Sequence, residues 1–194
     1  TMIPHPETEI IVEYVTDRAQ IGIEPDRVLD LGTGTGCILL SILNQLPLVS
    51  GVGVDICELA LEIASKNAAD LGLSRRATFK HLDWNFLTNN MVGHFDVIVS
   101  NPPYIPSMEI NDLEIDVSKY EPIVSLDGGP DGLRSYKQIL KIAPKLLQSS
   151  GKIVFEVGIN QSKDVAKMAK DCGFKILEII EDLNSIPRVI AIKQ

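Results

Sequence analysis

The chain has 194 residues, of which 45% are hydrophobic and 23% are charged. These values are typical of a globular protein and exclude a disordered, collagenous or fibrous chain. The sequence has no apolar run of about 18 residues, the length of a membrane-spanning helix, and no signal peptide is visible at its start. Length and composition therefore predict a single globular domain over residues 1–194, away from membranes and in the cytoplasm.

The charge balance is acidic, since 18 Lys and Arg residues oppose 26 Asp and Glu residues and give a net charge of −8. Proteins that grip nucleic acid need basic patches, so we expect no direct nucleic-acid binding, whereas a basic protein partner is compatible with this charge. The cysteines, Cys37, Cys57 and Cys172, form no Cys-x-x-Cys pair. We expect reduced, buried thiols and no metal site.

Apolar runs alternate with amphipathic segments along the chain, a pattern that indicates a mainly parallel sheet covered by helices. The predicted helices cover 3–23, 37–46, 57–71, 133–148 and 161–172, and the predicted strands cover 27–31, 49–55, 77–82, 95–100, 151–157, 174–180 and 187–193. No helix separates the last two strands, which should therefore form an antiparallel hairpin. The predicted fold class is α/β: a mostly parallel seven-stranded sheet with an antiparallel last strand and helices on both faces.

A glycine-rich turn, Gly32-Thr33-Gly34-Thr35-Gly36, follows the first strand and opens the first long helix after it. Its glycines allow close approach of a ligand, and the helix N-terminus offers N–H groups to a carboxylate. The glycine spacing departs from the dinucleotide fingerprint. Asp30, just before the turn, disfavours a pyrophosphate and suits an ammonium group. A ligand with both a carboxylate and an ammonium fits, so S-adenosylmethionine is predicted over NAD.

Acidic residues also follow the next two strands, Asp55 at the end of the second and Asp83, with Trp84 beside it, after the third. Asp55 is suited to accept both ribose hydroxyls, and Asp83 to accept from an adenine amino group. Trp84 offers a flat face beside the adenine ring, although a lone Trp is more often a core residue. Ligands of open α/β sheets bind at the carboxyl ends of the strands, so these residues and the glycine turn predict one cofactor site.

The fourth strand ends at Asn101-Pro102-Pro103-Tyr104. The two prolines fix the backbone and remove two N–H donors, which leaves the Asn101 side-chain oxygen and the Pro102 carbonyl as acceptors. Two close acceptors match the two hydrogens of a planar NH2 group, on which Tyr104 can stack. We therefore predict methyl transfer to an amino or amide nitrogen, with Asn101, Pro102 and Tyr104 catalytic, the whole turn binding substrate and Asn101 also touching the cofactor. The alternative is a turn that merely ends a strand.

Further motifs accompany these two turns. They are Ile3-Pro4-His5-Pro6-Glu7-Thr8-Glu9, Tyr120-Glu121-Pro122, Leu126-Asp127-Gly128-Gly129, Asp131-Gly132-Leu133, Phe155-Glu156-Val157-Gly158 and Pro187-Arg188-Val189. Together they make the chain resemble the HemK/PrmC family of class I S-adenosylmethionine-dependent methyltransferases, which methylate the glutamine side-chain amide (N5) in the Gly-Gly-Gln motif of peptide-chain release factors. The resemblance implies a Rossmann-like class I fold, S-adenosyl-L-methionine as cofactor with S-adenosyl-L-homocysteine as product, and a release factor as protein partner.

Two features depart from this family. His5 stands where the family has Arg, and the helical N-terminal domain that helps hold the release factor is expected to be absent, so that residues 1–23 supply only an N-terminal segment and a helix. In the expected reaction, Asn101 and Pro102 hold the glutamine nitrogen, which attacks the sulfonium methyl in line and loses a proton. An amide nitrogen is a weak nucleophile, so positioning must supply most of the acceleration.

Two other functions stay in competition. The Asn-Pro-Pro-Tyr turn is shared with DNA adenine and rRNA guanine N-methyltransferases, so it indicates the type of acceptor rather than the substrate. An N-methyltransferase acting on an exocyclic amino group of DNA or rRNA is the first alternative, and the net charge argues against it. The second is a binding module that keeps the cofactor site without catalysis, and the intact turn from Asn101 to Tyr104 argues against it.

Overall fold

The computed structural model describes residues 6–20, 25–110 and 125–194. The helices are α1 (Pro6–Gln20), α2 (Cys37–Gln45), α3 (Glu58–Asp70), α4 (Asn89–Val92), α5 (Arg134–Ile142) and α6 (Ser162–Asp171). The strands are β1 (Arg27–Leu31), β2 (Ser50–Asp55), β3 (Ala77–His81), β4 (Phe95–Ser100), β5 (Leu147–Glu156), β6 (Lys175–Glu181) and β7 (Pro187–Lys193). Two short 3-10 turns, Trp84–Phe86 and Ala143–Lys145, complete the described elements.

The strands form one seven-stranded sheet in the order β3-β2-β1-β4-β5-β7-β6. The first five strands in this order run parallel to one another. Strand β7 runs antiparallel to both of its neighbours, β5 and β6. The predicted α/β class, the antiparallel last strand and the closing hairpin are therefore confirmed, and the hairpin inserts β7 between β5 and β6.

Apolar side chains are buried on both faces of the sheet, in two separate clusters. Helices α1 and α2 contribute to one cluster, and α5 and α6 to the other. Helix α2 is rich in apolar residues, most of which are buried, and Leu39 among them is fully buried. A Cβ at Gly51 of β2 would collide with the Leu39 side chain, so the glycine lets α2 lie directly on the strand. Leu39 lies in the first turn of α2, so this contact lies close to the glycine-rich turn that precedes the helix.

The helix predicted over 133–148 is shorter in the structure, where α5 ends at Ile142 and β5 already begins at Leu147. Pro144 is the reason, because a proline has no N–H to donate and its ring clashes with the preceding helical turn. The structure also contains helix α4 and the turn Trp84–Phe86 in a stretch for which the sequence predicts no helix. Both are too short to show a helical hydrophobic period.

The prediction of buried thiols is wrong for two of the three cysteines. Cys57 and Cys172 are exposed, because each lies at the end of a helix on the protein surface, and Cys37 is half-buried. All three thiols are free. Within the described ranges, no group of three or more His, Cys, Asp or Glu side chains is arranged to hold a metal ion.

The helix predicted near the start of the chain is present as α1, which packs against α2 and against strands β5 and β7. The motif residues Ile3, Pro4 and His5, and the motif Tyr120-Glu121-Pro122, lie outside the described residues. Over the described part of the chain, we find no helix that combines the length and the apolar character needed to cross a membrane.

Candidate active site

The residues predicted to form the site lie at the carboxyl ends of neighbouring parallel strands. Asp30 lies in β1, Asp55 ends β2, Asp83 follows β3 and Asn101 follows β4. Glu156, which the sequence does not predict as a site residue, ends the neighbouring strand β5. Because these strands are parallel neighbours, their carboxyl ends meet at one edge of the sheet. The topology thus gathers on one edge the side chains that the sequence spreads over more than half of the chain.

The glycine-rich turn is anchored to strand β2 by its own backbone. The N–H groups of Gly32 and Thr33 donate to the Val54 carbonyl at 2.9 and 3.1 Å. The φ angles of the three glycines, Gly32, Gly34 and Gly36, are 75°, 55° and 82°, in the left-handed region. Several N–H groups of the turn are therefore used inside the protein.

Asp30 is buried beneath this turn, with no exposed surface. Its Oδ2 accepts a hydrogen bond from the Thr33 hydroxyl at 2.7 Å, while its Oδ1 has no hydrogen-bond partner among the described residues. Burial raises the pKa of Asp30 to about 7, although the Thr33 hydroxyl and the Leu39 N–H lower it in part, and the nearby charge of Asp55 raises it further. A buried carboxyl with an unpaired oxygen is stabilised by a cation placed against it.

Asp55 is fixed at the end of β2 by two backbone donors. Its Oδ2 accepts from the Gly34 N–H and its Oδ1 from the Cys57 N–H, both at 2.8 Å. The side chain is half-buried and bridges the glycine-rich turn and the start of α3. A carboxylate held in this way keeps one orientation and retains lone pairs for hydroxyl groups at the sheet edge.

Trp84 lies against the glycine-rich turn. A Cβ on Gly32 would be 3.2 Å from Cζ3 of Trp84, so the absence of a side chain allows the indole to approach the turn. The indole N–H donates to Oε1 of Gln138 on α5 at 3.1 Å. The carboxylate of Asp83 accepts from the backbone N–H of Asn85 at 2.8 Å and so caps the 3-10 turn that carries the indole. Trp84 is therefore both a partly buried core contact and a wall of the turn.

The Asn101 turn is tied directly to the glycine-rich turn. The buried hydroxyl of Ser100, the last residue of β4, donates at 2.6 Å to the carbonyl of Leu31, the residue before the first glycine. Asn101, Pro103 and Tyr104 are half-buried, and Pro102 is buried. The two motifs that the sequence singled out separately are thus adjacent and held in a fixed relation.

Two further residues, Thr8 of α1 and Glu156 of β5, contact the Asn101 turn. The Thr8 hydroxyl donates to Oε2 of Glu156 at 2.9 Å and lies 3.4 Å from Nδ2 of Asn101. The Tyr104 hydroxyl donates to Oε1 of Glu156 at 3.4 Å. Thr8 and Glu156 both lie in motifs shared with the family, and the sequence alone assigns neither of them a role. The sequence does contain a signal, because Glu156 is an acid placed between the apolar run Ile153-Val154-Phe155 and Val157. In the structure Glu156 is only 3% exposed.

The loop before α5 packs behind Tyr104. A Cβ at Gly132, which has a φ of 71°, would collide with the Tyr104 carbonyl, so this position requires glycine. That carbonyl accepts from Nε2 of Gln161 at 2.8 Å, and the Gln161 Oε1 accepts from the Gly158 N–H at 3.1 Å. Tyr104 is therefore held at its backbone by this loop and by the start of α6.

Asp127 fastens the same loop to the segment that follows the turn. Its carboxylate accepts from the Ser107 hydroxyl at 2.6 Å, from the Gly129 N–H at 2.8 Å and from Arg134 at 3.0 Å. These donors, the Ser107 hydroxyl foremost, lower the pKa of Asp127 to about 2. Asp127 is therefore ionised throughout the physiological range, and the fastening does not depend on pH there.

A mostly parallel seven-stranded sheet, a glycine-rich turn after β1 and an Asn-Pro-Pro-Tyr turn after β4 define the class I methyltransferase domain, and a family model described as a methyltransferase domain matches residues 24–186. A release factor glutamine methyltransferase of Rhodospirillum rubrum is 43% identical over 190 residues, which cover 98% of this chain and 57% of that protein. The enzyme of the same name from Thermodesulfovibrio yellowstonii is 37% identical over 199 residues, covering 100% of this chain and 68% of that protein.

A solved structure shows the same likeness. The crystal structure of a release factor-specific protein-(glutamine-N5) methyltransferase from Alicyclobacillus acidocaldarius is 29% identical, with a TM-score of 0.59, and the match covers 99% of this chain and 94% of that chain. The chain belongs to the release factor glutamine methyltransferase family. It spans 57% and 64% of the length of two of the curated relatives it matches.

Proposed function

We propose that this chain transfers a methyl group from S-adenosylmethionine to the side-chain amide nitrogen (N5) of the glutamine in the Gly-Gly-Gln motif of a peptide-chain release factor. Membership of the family supports this reaction. The observation that carries the proposal is the hydrogen bond from Ser100 to the Leu31 carbonyl, which keeps the Asn-Pro-Pro-Tyr turn next to the glycine-rich turn. A methyl acceptor bound by the Asn-Pro-Pro-Tyr turn would therefore lie beside a methyl donor bound at the glycine-rich turn.

S-adenosylmethionine, when bound, supplies an electrophilic sulfonium methyl group. The residues that we propose to hold it are Asp30, Gly32, Thr33, Gly34, Thr35, Gly36, Asp55, Asp83, Trp84 and Asn101. The unpaired Oδ1 of Asp30 fits the ammonium of the methionyl part, since a cation there would favour the ionised form of a carboxyl whose pKa is about 7. The fixed carboxylate of Asp55 fits the ribose hydroxyls, and the face of Trp84 fits an aromatic ring.

The acceptor nitrogen is the part of the reaction that the chain's own residues control. In our proposal, the Asn101 Oδ1 and the Pro102 carbonyl accept the two hydrogens of the glutamine NH2 group, and Tyr104 stacks on the amide plane. Two acceptors also favour the positive charge that develops on the nitrogen as it gains the methyl group and before it loses one proton. Orientation of the two reacting groups is the main contribution, because an amide lone pair is delocalised.

A protein substrate agrees better with the chain than a nucleic acid does. The net charge of −8 opposes a phosphate backbone and suits a basic partner. The relatives are named for release factors, so the alternative of an N-methyltransferase acting on DNA or rRNA is not favoured. We also propose that residues 1–194 act as one methyltransferase domain, in the cytoplasmic compartment where translation terminates.

The test is a methylation assay with a release factor. The chain is incubated with methyl-labelled S-adenosylmethionine and a release factor that contains Gly-Gly-Gln, and the added methyl is located by mass spectrometry, with DNA and rRNA as competing acceptors. We expect one methyl group on the Gly-Gly-Gln glutamine. Asn101→Ala should lower turnover at least about 100-fold and weaken cofactor binding far less, because nine other residues are proposed to hold the cofactor, whereas the exposed control Asn90→Ala should match the wild type.

Three results would contradict the proposal. Equal turnover in Asn101→Ala would remove the role of this turn. Methylation of DNA or rRNA alone would favour the nucleic-acid alternative. Cofactor binding without transfer to any acceptor would favour the non-catalytic module.

A further inference from the structure

Thr8 and Glu156 form a buried hydrogen-bonded pair behind the Asn101 side chain. The two residues are 148 positions apart in the chain, and their side-chain oxygens, Oγ1 and Oε2, are 2.9 Å apart. Thr8 is 7% exposed and Glu156 is 3% exposed. The same Thr8 hydroxyl is 3.4 Å from Nδ2 of Asn101, so it lies between a buried acid and the amide that our proposal assigns to acceptor binding.

The direction of these hydrogen bonds follows from the number of protons. The hydroxyl of Thr8 donates to Oε2 of Glu156. A hydroxyl carries one proton, and Thr8 therefore presents only lone pairs to Asn101. The group of Asn101 that faces Thr8 must then be the NH2 group. Because the amide is planar with oxygen and nitrogen on opposite sides, Oδ1 of Asn101 is directed away from Thr8.

We propose that Thr8 and Glu156 are positioning residues that fix the orientation of the Asn101 amide and so determine that an acceptor, rather than a donor, faces the substrate nitrogen. This inference rests on the proposed function, in which Oδ1 of Asn101 accepts from the glutamine NH2 group. If the Asn101 amide were rotated by half a turn, its NH2 group would face the NH2 group of the substrate glutamine. One hydrogen bond would then be replaced by a repulsion between two donors.

Glu156 acts on both ends of the same turn. Its other oxygen, Oε1, accepts from the Tyr104 hydroxyl at 3.4 Å. This contact fixes the Tyr104 ring, which in our proposal stacks on the glutamine amide. The contacts of 3.4 Å are long for hydrogen bonds, and such contacts commonly shorten when the substrate is bound. One buried carboxylate thus orients the side chains of Asn101 and Tyr104 together, through a hydroxyl in one case and directly in the other.

The test separates orientation from simple stability with three substitutions on α1. Thr8→Val removes the hydroxyl and keeps the side-chain shape, and Thr8→Ser keeps the hydroxyl. Thr16→Val is the matched control, because Thr16 is buried on the same helix and its hydroxyl lies 3.3 Å from the Glu13 carbonyl of that helix. Glu156→Gln is the second test of the pair, since glutamine keeps the shape but cannot accept from both hydroxyls.

The measurements are kcat for methyl transfer to a Gly-Gly-Gln release factor, the Kd for S-adenosylmethionine, and hydrogen exchange of the Asn101 side-chain amide. The Asn101 signals in a 15N–1H spectrum are identified by their loss in Asn101→Ala. We expect Thr8→Val and Glu156→Gln to lower kcat by about tenfold to hundredfold, with the cofactor Kd changed by less than about twofold. Both should speed exchange of the Asn101 amide protons, while Thr8→Ser should stay within about threefold of the wild type in kcat.

The outcomes distinguish this inference from the proposed function. If Thr8→Val and Glu156→Gln keep the kcat of Thr16→Val, or if Thr8→Ser loses as much as Thr8→Val, the inference is overturned. If the wild-type chain methylates no Gly-Gly-Gln glutamine, the proposed function fails and amide exchange decides the inference. Faster exchange in Thr8→Val than in Thr16→Val would then support it, and equal exchange would overturn it. Should Thr8→Val fail to fold, the same comparison is made with Glu156→Gln.

Discussion

Replacing Asp30 by asparagine should change how the stability of the protein depends on pH. The pKa of the buried Asp30 carboxyl is about 7, compared with 3.8 for an ordinary aspartate, and burial is the largest cause. The raised pKa means that the folded state holds this proton more tightly than the unfolded state. Between about pH 4 and about pH 7 the unfolded chain has already lost the proton, so the free energy of unfolding falls as the pH rises and levels off above about pH 7.

The size of this effect follows from the shift. One pKa unit corresponds to about 1.4 kcal/mol, so the full window amounts to about 4 kcal/mol and the part between about pH 5.5 and about pH 7 to about 2 kcal/mol. Asparagine does not titrate. The free energy of unfolding of Asp30→Asn, minus that of the wild type, should therefore rise by about 2 kcal/mol between these two pH values and stay constant above them.

Urea unfolding of both proteins at half-unit pH steps measures this difference, in which the contributions of all other titrating groups largely cancel. Two parallel curves over this range would refute the assignment of a raised pKa to Asp30. The cofactor gives a second readout. If its ammonium contacts Asp30, binding lowers the pKa of Asp30 and releases a proton. As the pH is raised toward about 7, the affinity of the wild type for the cofactor should therefore increase by up to about tenfold per pH unit. Asp30→Asn should lose that rise.

Three further predictions concern the walls of the site. Trp84 is the single tryptophan of the chain, so saturating S-adenosylmethionine should change the intrinsic fluorescence, and an unchanged spectrum would place the ligand elsewhere. Gly132→Ala should lower the free energy of unfolding by at least about 2 kcal/mol more than Gly72→Ala in urea titrations, because both glycines have a φ of 71° but only Gly132 faces the Tyr104 carbonyl. Gln161→Ala should lower stability by about 1–3 kcal/mol through loss of the donor to the Tyr104 carbonyl, with cofactor Kd unchanged, and a normal melting temperature would contradict it.

Much of the fold could be predicted because it is encoded locally. Strands β1, β4 and β7 have the predicted bounds. Each is a short, mostly apolar run, and β1 and β4 are followed directly by turn residues, Gly32 and Asn101-Pro102. The position of Asp30, Asp55 and Asn101 on one edge follows from the parallel topology alone. Residues that end strands which are parallel neighbours in the sheet lie close together. Their proximity can therefore be predicted without knowing how the side chains pack.

The parts that escaped prediction depend on contacts between distant segments. Nothing local in the sequence brings Thr8 to Glu156, because the contact requires α1 to dock at the end of β5. Likewise, nothing local in the sequence indicates that the Gly34 N–H of the glycine-rich turn donates to Asp55. Side-chain rotamers determine which acceptor a hydrogen-bond donor contacts, and the hydrophobic pattern of a sequence does not specify these rotamers.

The position of β7 between β5 and β6 determines when, during synthesis of the chain, the surroundings of Glu156 can form. Glu156 pairs in the sheet with Val189 and hydrogen-bonds to Thr8, so its surroundings combine segments synthesised near the beginning and near the end of this sequence. A nascent chain still lacking β7 leaves the edge of β5 unpaired, and such long-range pairings form late because they must first close long loops. The Asn-Pro-Pro-Tyr turn would thus gain the support of Glu156 only after synthesis has passed Val189, and a truncated product would carry the glycine-rich turn beside an unsupported Asn-Pro-Pro-Tyr turn.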